Sequence, residues 1–457
     1  MRRTLVLGGS CLLLFVLWLP GLRYPIVSDT AFYALLGESM WLHGRYALFD
    51  VPYAKHLPLH AFLSYPFVYS FGFSFGMKIA TLAAGIAVLL LTYFVLRESF
   101  SEGVALVAVP LVTVHHGFVL MTMLGSADLL FTALFLVMVF ALLRADDDPR
   151  WYVVAGVALG LSCLTRYNGV PLFAVYALTV LLWRREDLRS TWMYLGGFAA
   201  AGIFSIWLWR NARVFGSPFH TQYTGELTTE APDHLAQLWS NVLYYIDPLH
   251  NILPILLPAA IYGMIVYGRS KRTLLLAVAG VWMLSAIWWV QAIRFAFPAY
   301  PILIGFGIAG YSRILRAHPL WVRPGAVILT IAIIFTHAGA LCLYSYGGCN
   351  STFDRVVGWL PQNLGLSSEG FYTWGKARES ANAILPSGAI LAAGGPDHVR
   401  AQKEGFFRKD IRIVESGSAE CPYYRITQQP REGEEVVSVT ADRPLTYVTR
   451  VLCPEIK

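Results

Sequence analysis

The sequence predicts a polytopic α-helical membrane protein that ends in a small soluble α/β domain. The chain has 457 residues, of which 56% are hydrophobic and only 14% are charged, and its mean hydropathy is +0.54. A soluble domain carries about 25% charged residues, so this composition excludes an ordinary soluble protein. Apolar stretches recur through residues 1–346, and the chain becomes more polar over residues 347–457. The net charge of +7 indicates little, because in a membrane protein the side that basic residues face matters more.

Eleven apolar segments are candidates for membrane-spanning helices, each of which needs about 20 residues. They are residues 4–22, 75–96, 104–124, 129–143, 151–164, 170–183, 192–209, 252–267, 274–293, 299–314 and 327–346. Two positive charges, Arg2 and Arg3, precede the apolar stretch of the first segment, which is the order found in a signal peptide. No small-residue cleavage site follows it, so we expect a retained anchor.

The distribution of Lys and Arg predicts the orientation of these spans. Basic residues are more frequent in the short turns on the side of the N-terminus, such as 184–189 and 269–272, than on the other side. Because cytoplasmic loops carry the excess of Lys and Arg, we expect a cytoplasmic N-terminus. An odd number of spans then places the C-terminal domain outside the cytoplasm. The expected location is the plasma (inner) membrane.

The first outer loop, residues 24–74, carries two short helical patterns. Apolar residues at 32, 35, 36 and 40 form the stripe of an amphipathic helix, which Ser28 or Asp29 could cap and Gly44 could end. Pro58 suits the first turn of a second helix. Both helices are too short to span the bilayer, so we expect them to lie along its outer interface.

The C-terminal domain is predicted over residues 347–457. A helical pattern covers residues 376–385, and strand patterns cover 389–393, 411–414, 435–439 and 445–452. An oxidising compartment would permit a disulfide here, with Cys421–Cys453 as the first candidate pair. Cys11 and Cys163 are expected to pack as small apolar side chains.

Ionisable residues gather at the outer ends of the predicted spans rather than in their middles. The residues concerned are Asp29, Asp128, Arg166, Arg210, Arg213 and Arg294. Basic residues are disfavoured on the outer side, so their presence calls for a reason. Two carboxylates and several arginines at one depth indicate a site that binds an anionic head group at the outer leaflet.

Each of these residues also has a structural explanation. Asp29 and Asp128 could be helix N-caps. Arg213 could extend to lipid phosphates, and Arg166 could anchor the end of its helix. Arg210 and Arg294 are harder to explain in this way, because each directly follows an aromatic-rich helix.

The motifs at these positions resemble those of GT-C-fold glycosyltransferases. The group resembled includes dolichyl-phosphate-mannose protein mannosyltransferases, aminoarabinose transferases and the related lipopolysaccharide core transferases. The matching stretches are Ser28-Asp29-Thr30, Lys55-His56-Leu57-Pro58-Leu59, Ala127-Asp128-Leu129-Leu130, Arg210-Asn211 with Gly216-x-Pro218, and Arg294-Phe295-x-x-Pro298. Two departures are the single Asp29, where many members have an acidic pair, and Leu57, where the family has a proline.

The resemblance implies a catalytic membrane domain over residues 1–346 and an activity in the cell envelope. A hexosyl or pentosyl group would move from a polyprenyl-phosphate donor to a hydroxyl of a lipid, glycan or protein acceptor. The transfer would take place on the extracytoplasmic face, by one displacement with inversion at the anomeric carbon. No nucleic-acid partner is expected.

The same resemblance suggests roles for particular residues. Asp29 would take the proton of the acceptor hydroxyl, and Asp128 would orient the acceptor or the sugar. Arg294 and Lys55 would stabilise the charge that develops on the leaving phosphate, with Arg210 and His56 in support. No Cys or His cluster has metal-site spacing, and the single Asp29 leaves the role of a divalent cation open.

Two other functions remain open at this point. A transporter or flippase of a lipid-linked sugar would need a polar pathway through the membrane or related halves, and neither is visible in the sequence. A non-catalytic membrane scaffold would be favoured if Asp29 and Arg294 lay far apart.

Overall fold

A computed structural model describes most of the predicted membrane region and parts of the C-terminal region. The described residues are 1–23, 28–48, 51–223, 234–246, 256–288, 293–317, 324–325, 327, 330–331, 380–393, 410–415, 422–427, 430–431, 434–439 and 447–452. The last predicted span, residues 327–346, lies largely outside these residues. Cys421 and Cys453, the proposed disulfide pair, both lie outside them.

Helices account for nearly all of the structure before residue 318. They are α1 Arg2–Trp18, α2 Ser28–His43, α3 Pro58–Phe71, α4 Phe73–Ser99, α5 Glu102–Thr113, α6 His116–Leu124, α7 Asp128–Arg144, α8 Trp151–Cys163, α9 Leu172–Trp183, α10 Thr191–Phe215, α11 His234–Ile246, α12 Leu257–Tyr267, α13 Arg272–Ile287, α14 Ile293–Ala296 and α15 Tyr300–Ala317. Short 3₁₀ turns cover Leu19–Arg23, Tyr167–Gly169, Arg185–Arg189 and Phe297–Ala299. A two-stranded hairpin, β1 Ala47–Leu48 and β2 Val51–Pro52, joins α2 to α3.

The two helices predicted in the first outer loop are present as α2 and α3. Gly44 follows α2 with φ +63°, a conformation that glycine adopts without steric cost. Leu57, before Pro58, is extended with ψ 153°, because the proline ring excludes the helical conformation from the preceding residue. Pro58 then begins α3. Proline is tolerated there because an N–H at the first helical position would have no acceptor within the helix. These two helices and the hairpin position the sequence from Tyr53 to Leu57.

The predicted span at residues 104–124 is not one helix. It is divided into α5 and α6, which meet at an angle of 58°. Pro110 lies inside α5 and removes one backbone donor from it. His115 then begins the next helix, because its Nδ1 accepts the N–H of Phe118 at 3.3 Å. The segment at 274–293 also ends early: α13 stops at Ile287, and Arg294 lies on the separate short helix α14.

Length and composition qualify three of the described helical segments as able to cross a membrane, Phe73–Ser99, Thr191–Phe215 and Arg294–Ala317. The bent pair of α5 and α6 makes a fourth if it counts as one span. Helices occupy the other predicted spans up to residue 314, but several of them are short. The expected number of eleven spans therefore stays a prediction.

The helices share one apolar core that extends from α1 to α15. Helices α8 and α10 approach closely within this core, where Gly156 and Gly196 face each other. A methyl group on Gly156 would lie 1.9 Å from the Gly196 carbonyl oxygen, and one on Gly196 would lie 2.2 Å from the Tyr152 carbonyl oxygen. Only glycine permits this approach of the two backbones. Cys163 is buried in the same core, as expected for a small apolar side chain.

The described strands after residue 389 form a five-stranded mixed sheet. They are β3 Ile390–Ala393, β4 Arg412–Glu415, β5 Tyr423–Thr427, β6 Glu435–Val439 and β7 Tyr447–Val451, in the order β4-β3-β5-β7-β6. β3 is parallel to β4 and β5, whereas β7 is antiparallel to β5 and β6. Four strands coincide with predicted ones, and β5 was not predicted. A helix at residues 380–384 packs Ala381 and Leu385 against the sheet.

Candidate active site

A cavity of about 210 Å³ that contains several charged side chains lies where α2, the hairpin-to-α3 segment, α7 and α14 meet. Its charged side chains come from five separate parts of the sequence: Asp29, Lys55, Asp128, Arg166 and Arg294. His56, Tyr33, Tyr167, Tyr223, Trp288 and Phe295 supply the rings of its wall. The fold therefore brings together all but one of the six residues that the sequence analysis assigned to the site.

Asp29 is the carboxylate that is open to this cavity. Its Oδ2 lies 3.5 Å from Arg294 Nη1, and its Oδ1 lies 3.9 Å from His56 Nε2. The Asp29 side chain is 37% exposed, so its oxygens can be reached from the cavity. Asp29 is the second residue of α2, and the positive end of that helix adds to the favourable field.

The positive charges around Asp29 keep it ionised. Burial raises the pKa of the Asp29 carboxyl, but the surrounding positive charges, Arg294 first, lower this pKa by more. The net pKa of Asp29 is below its ordinary value. At neutral pH the side chain is therefore a carboxylate that can accept a hydrogen bond or a proton.

His56 is a neutral neighbour of this carboxylate. Burial lowers the pKa of His56 to about 4, against the raising effect of Asp29, so the ring carries no charge at neutral pH. The Tyr53 hydroxyl lies 2.7 Å from His56 Nδ1. Burial raises the pKa of Tyr53, so the hydroxyl keeps its proton. We assign it as the donor to Nδ1, which leaves the imidazole proton on Nε2, the nitrogen nearest to Asp29.

Asp128, the second predicted carboxylate, is held by its neighbours. It begins α7, is only 2% exposed, and forms an ion pair with the Arg166 guanidinium through Oδ1. Its Oδ2 accepts the hydroxyl of Ser126 at 2.7 Å. Both oxygens are therefore engaged, and no side-chain cap on the helix backbone is formed. The arrangement makes Asp128 the group that holds Arg166 in the cavity wall.

The cavity has more positive than negative side chains. Lys55, Arg166 and Arg294 face two carboxylates, and neutral His56 adds no charge. Phe295 lies between two of these cations: the guanidinium carbons of Arg294 and Arg166 lie 5.1 Å and 5.3 Å from its ring centroid. Lys55 Nζ lies 5.2 Å from the ring of Tyr223. The net positive charge suits a ligand that carries an anionic group.

Arg210, which is predicted to support phosphate binding, is not among the described residues that line the cavity. Its guanidinium donates to the carbonyl oxygens of Tyr53 at 2.9 Å and Tyr46 at 2.7 Å. It also lies 4.9 Å from the ring centroid of Trp207. Arg210 therefore ties α10 to the hairpin segment that carries Lys55 and His56.

Arg166 is the residue whose importance the sequence analysis underestimated. Arg166 is counted there among the outer basic residues that indicate an anionic ligand, anchoring of its helix is given as the alternative, and no role in the reaction is assigned to it. In the fold it precedes the 3₁₀ turn Tyr167–Gly169 in an extended conformation, with φ −149° and ψ 146°. This backbone directs the side chain toward Asp128, which is 38 residues away in sequence. The sequence signal for Arg166 was its place on the outer side of the membrane, where basic residues are disfavoured.

The donor set of the cavity does not match a metal site. Among the residues that the structure describes, no group of three or more His, Cys, Asp and Glu side chains could hold a metal ion. Asp29 has Arg294 as its nearest charged neighbour, and Asp128 is occupied by Arg166 and Ser126. In the described wall, Arg294 lies beside Asp29 and Arg166 lies beside Asp128. These arginines supply the positive charge that a bound metal ion would otherwise supply.

Comparison with known proteins supplies the family context of this arrangement. The family model described as dolichyl-phosphate-mannose-protein mannosyltransferase matches residues 55–209. No curated protein sequence matches the chain. Among solved structures, ArnT from Cupriavidus metallidurans bound to undecaprenyl phosphate has a TM-score of 0.60 and 14% identity, over 99% of this chain and 99% of that chain. The Archaeoglobus fulgidus oligosaccharyltransferase in complex with Zn and sulfate has a TM-score of 0.52 and 15% identity, over 88% of this chain and 62% of that chain.

The chain is a membrane glycosyltransferase with the GT-C fold. The fold similarity extends along the whole of ArnT, including its apo structure, which has a TM-score of 0.59. The predicted fold class, membrane location and enzyme class are thereby confirmed. The alternative of a transporter or flippase gains no support from these comparisons. In this glycosyltransferase the family match begins at Lys55 and includes Asp128 and Arg166.

Proposed function

We propose that the cavity transfers a sugar from a polyprenyl-phosphate donor to the hydroxyl group of an acceptor. The observation that carries this proposal is the placement of an open carboxylate, Asp29, 3.5 Å from Arg294 in a wall that also holds Lys55 and Arg166. A proton acceptor and an anion-binding group are thus in contact within one cavity. The short distance also argues against a non-catalytic scaffold.

The cations are suited to the leaving group. As the bond between the anomeric carbon and the phosphate oxygen breaks, negative charge grows on the phosphate. Fixed cations stabilise this charge more in the transition state than in the ground state, and so they lower the barrier. Arg294 and Lys55 are the proposed contacts, as expected from the sequence, and Arg166 joins them. The planar guanidinium of an arginine can donate two parallel hydrogen bonds to a phosphate.

Asp29 is suited to the acceptor side of the reaction. The acceptor oxygen forms a bond to the anomeric carbon while the bond to the phosphate oxygen breaks. The hydroxyl proton passes to the Asp29 carboxylate as the nucleophile loses electron density. The products are the glycosylated acceptor and the polyprenyl phosphate anion. One displacement of this kind inverts the anomeric configuration.

The donor class rests on the family context and on the charge of the cavity. One relative of the same fold is described as bound to undecaprenyl phosphate, and the matching family is described by a dolichyl-phosphate-mannose substrate. We infer a polyprenyl-phosphate-linked sugar for this chain, with a lipid, glycan or protein as acceptor. The proposed orientation has the cavity on the extracytoplasmic face, the N-terminus in the cytoplasm and residues 347–457 outside. The positive-inside bias of the turns at the opposite helix ends supports it.

The test is transfer by the purified protein from a panel of polyprenyl-phosphate sugars, with release of polyprenyl phosphate measured alongside glycosylation of the acceptor. We expect Arg294→Ala to lower turnover about 10²–10³-fold, as the loss of one group that stabilises a developing anion does. Arg213→Ala is the matched control, because Arg213 is exposed near Trp209 at the end of α10. The proposal is wrong if no donor supports transfer, or if the two variants have the same turnover.

A further inference from the structure

A second polar cavity, of about 190 Å³, lies at the opposite ends of the same helices. It is formed where α4 ends at Ser99, where α7 ends, and where the turn at Lys271 leads into α13. The 17 residues of α7 separate it from the candidate active site by about 25 Å. The reaction proposed above uses none of its residues.

The three carboxylates that line this cavity are paired with two arginines. Arg144 Nη1 lies 3.5 Å from Glu98 and 3.0 Å from Asp147. Arg184 Nη2 lies 2.8 Å from Asp146, and Arg184 Nη1 donates to the Leu142 carbonyl oxygen. Because Arg144 is shared by Glu98 and Asp147, these ion pairs leave one negative charge in the wall, and the two further cations of the cavity, Lys271 and Arg272, exceed it.

Two basic residues in the cavity have no such partner. Within the described part of the chain, no ion pair involves Lys271 or Arg272. Arg272 Nε donates to the Arg269 carbonyl oxygen at 2.8 Å, which leaves the two terminal nitrogens of its guanidinium. Arg272 and Thr273 are also the first residues of the 16-residue helix α13, and their backbone N–H groups have no acceptor within the helix. The next two N–H groups, of Leu274 and Leu275, already donate to the Lys271 carbonyl oxygen. Two positive charges and a helix N-terminus thus border the same space.

Ser99 provides the independent sign that this space receives a ligand. Its side chain lines the cavity, the residue is only 2% exposed, and its Oγ has no hydrogen-bond partner among the described residues. A buried hydroxyl without a partner costs about 1–3 kcal/mol, and a helical serine can normally avoid this cost by donating to the carbonyl four residues earlier. Ser99 does not make that bond, so its hydroxyl is free to donate to a group in the cavity.

We propose that this cavity binds a phosphate group. Lys271 and Arg272 would neutralise its charge, the backbone N–H groups of Arg272 and Thr273 would donate to its oxygens, and Ser99 would donate one further hydrogen bond. The group belongs either to the head of a phospholipid or to a free phosphate ion. Basic pockets between membrane helices bind lipid head groups in this way. The site is distinct from the sugar-transfer cavity, so its occupancy would act on stability or on lipid dependence.

The experiment measures ligand-induced stabilisation of the full-length protein in detergent. The probes are dihexanoyl phosphatidic acid, inorganic phosphate and dihexanoyl glycerol, which has the same acyl chains without the phosphate. The Arg294→Ala background is measured in parallel, so that binding in the sugar-transfer cavity can be separated. We expect saturable stabilisation by a phosphate-bearing probe and none by dihexanoyl glycerol. Stabilisation by phosphatidic acid alone identifies a lipid head group, and equal stabilisation by inorganic phosphate identifies the free ion.

Variants then locate the binding. The double variant Lys271→Gln/Arg272→Gln should weaken it at least about tenfold, and Ser99→Ala about fivefold, from the loss of charged and neutral hydrogen bonds. The matched control is Arg185→Gln/Arg189→Gln, which removes two exposed positive charges from the neighbouring turn. The proposal is overturned if no phosphate-bearing probe binds saturably, or if the control pair weakens binding as much as the cavity pair.

Discussion

Asp29 and Asp128 face one cavity from two helices, and their surroundings give them different capacities. The Asp29 side chain is 37% exposed, and its nearest cationic atom lies 3.5 Å away. The Asp128 side chain is 2% exposed, and both of its oxygens are held, one by Arg166 and one by Ser126. The Asp128 carboxylate is almost fully buried and is therefore much harder for a substrate to reach than the Asp29 carboxylate. The fold thus places one carboxylate within reach of the cavity and holds the other in a buried ion pair.

This contrast changes how the two predicted catalytic residues are ranked. Asp29 keeps its role as the proposed base. We propose that Asp128 is a positioning residue that acts through Arg166 rather than on the acceptor or the sugar, because its carboxylate is buried in the ion pair with Arg166. The predictions below test this division, beginning with the substitution for which the largest effect is expected.

Replacing Asp29 by Asn should remove the proton acceptor and leave the shape of the side chain. We expect turnover to fall about 10²–10⁴-fold, the usual contribution of a general base. The unfolding temperature should change little, because the Asp29 carboxylate is open to the cavity and is only loosely paired. The measurement is the initial rate of sugar transfer together with thermal unfolding in detergent.

The control for this substitution is Glu38→Gln, which removes an exposed carboxylate from the same helix, α2. Its turnover should equal that of the unmodified protein. If Asp29→Asn kept more than about a tenth of normal turnover, Asp29 could not be contributing as a general base.

Replacing Asp128 by Ala should act mainly on stability. The substitution leaves Arg166 in a largely buried position without its partner, and breaking a buried ion pair in this way costs about 3–5 kcal/mol. Asp128→Asn keeps one acceptor oxygen for Arg166, and its amide nitrogen can donate to the Ser126 hydroxyl oxygen, so its loss should be smaller. The measurement is the unfolding midpoint of both variants beside Asp29→Asn. An Asp128→Ala protein of normal stability without activity would show that Asp128 belongs to the reaction itself.

Replacing Arg210 by Ala should loosen the segment that carries Lys55 and His56. The guanidinium makes charged hydrogen bonds to the carbonyl oxygens of Tyr46 and Tyr53, each worth about 1.5–3 kcal/mol. Because Arg210 acts through this segment, we expect a several-fold rise in the KM for the donor and a lower unfolding temperature. A lower kcat with unchanged KM and unchanged stability would instead support the original expectation of direct phosphate contact.

The sequence was sufficient for features whose cause is local. Gly44 and Pro58 predicted the end of α2 and the start of α3 because each acts on the backbone of its own turn. The positions of Asp29, Lys55 and Arg294 at one site followed from ordered motifs. The partner of Arg210 did not, because the Tyr46 carbonyl is 164 residues away and any backbone oxygen could have taken that place. The break after α5 was also missed, since a proline within an apolar run does not reveal whether the helix continues past it.

The pH dependence of stability gives the smallest expected effect and tests the environment of His56. Burial lowers the pKa of His56 to about 4, while an unfolded chain has a histidine pKa near 6.5. Between these values the unfolded state binds more protons than the folded state, so stability is present above pH 6.5 and is lost as the pH falls toward 4. Asp29 adds nothing between pH 6 and 5, because its carboxyl is ionised in both states there.

The loss between pH 6 and 5 should be about 1 kcal/mol for His56. His60, on α3, has a pKa lowered to about 4 by burial, and it should add a similar amount. We therefore expect His56→Gln to reduce the slope of unfolding free energy against pH without abolishing it. His43→Gln, which removes an exposed imidazole at the end of α2, is the control. If His56→Gln left the slope unchanged, the pKa of His56 would be the same in the folded and unfolded chain. The assignment of a neutral ring beside Asp29 would then be wrong.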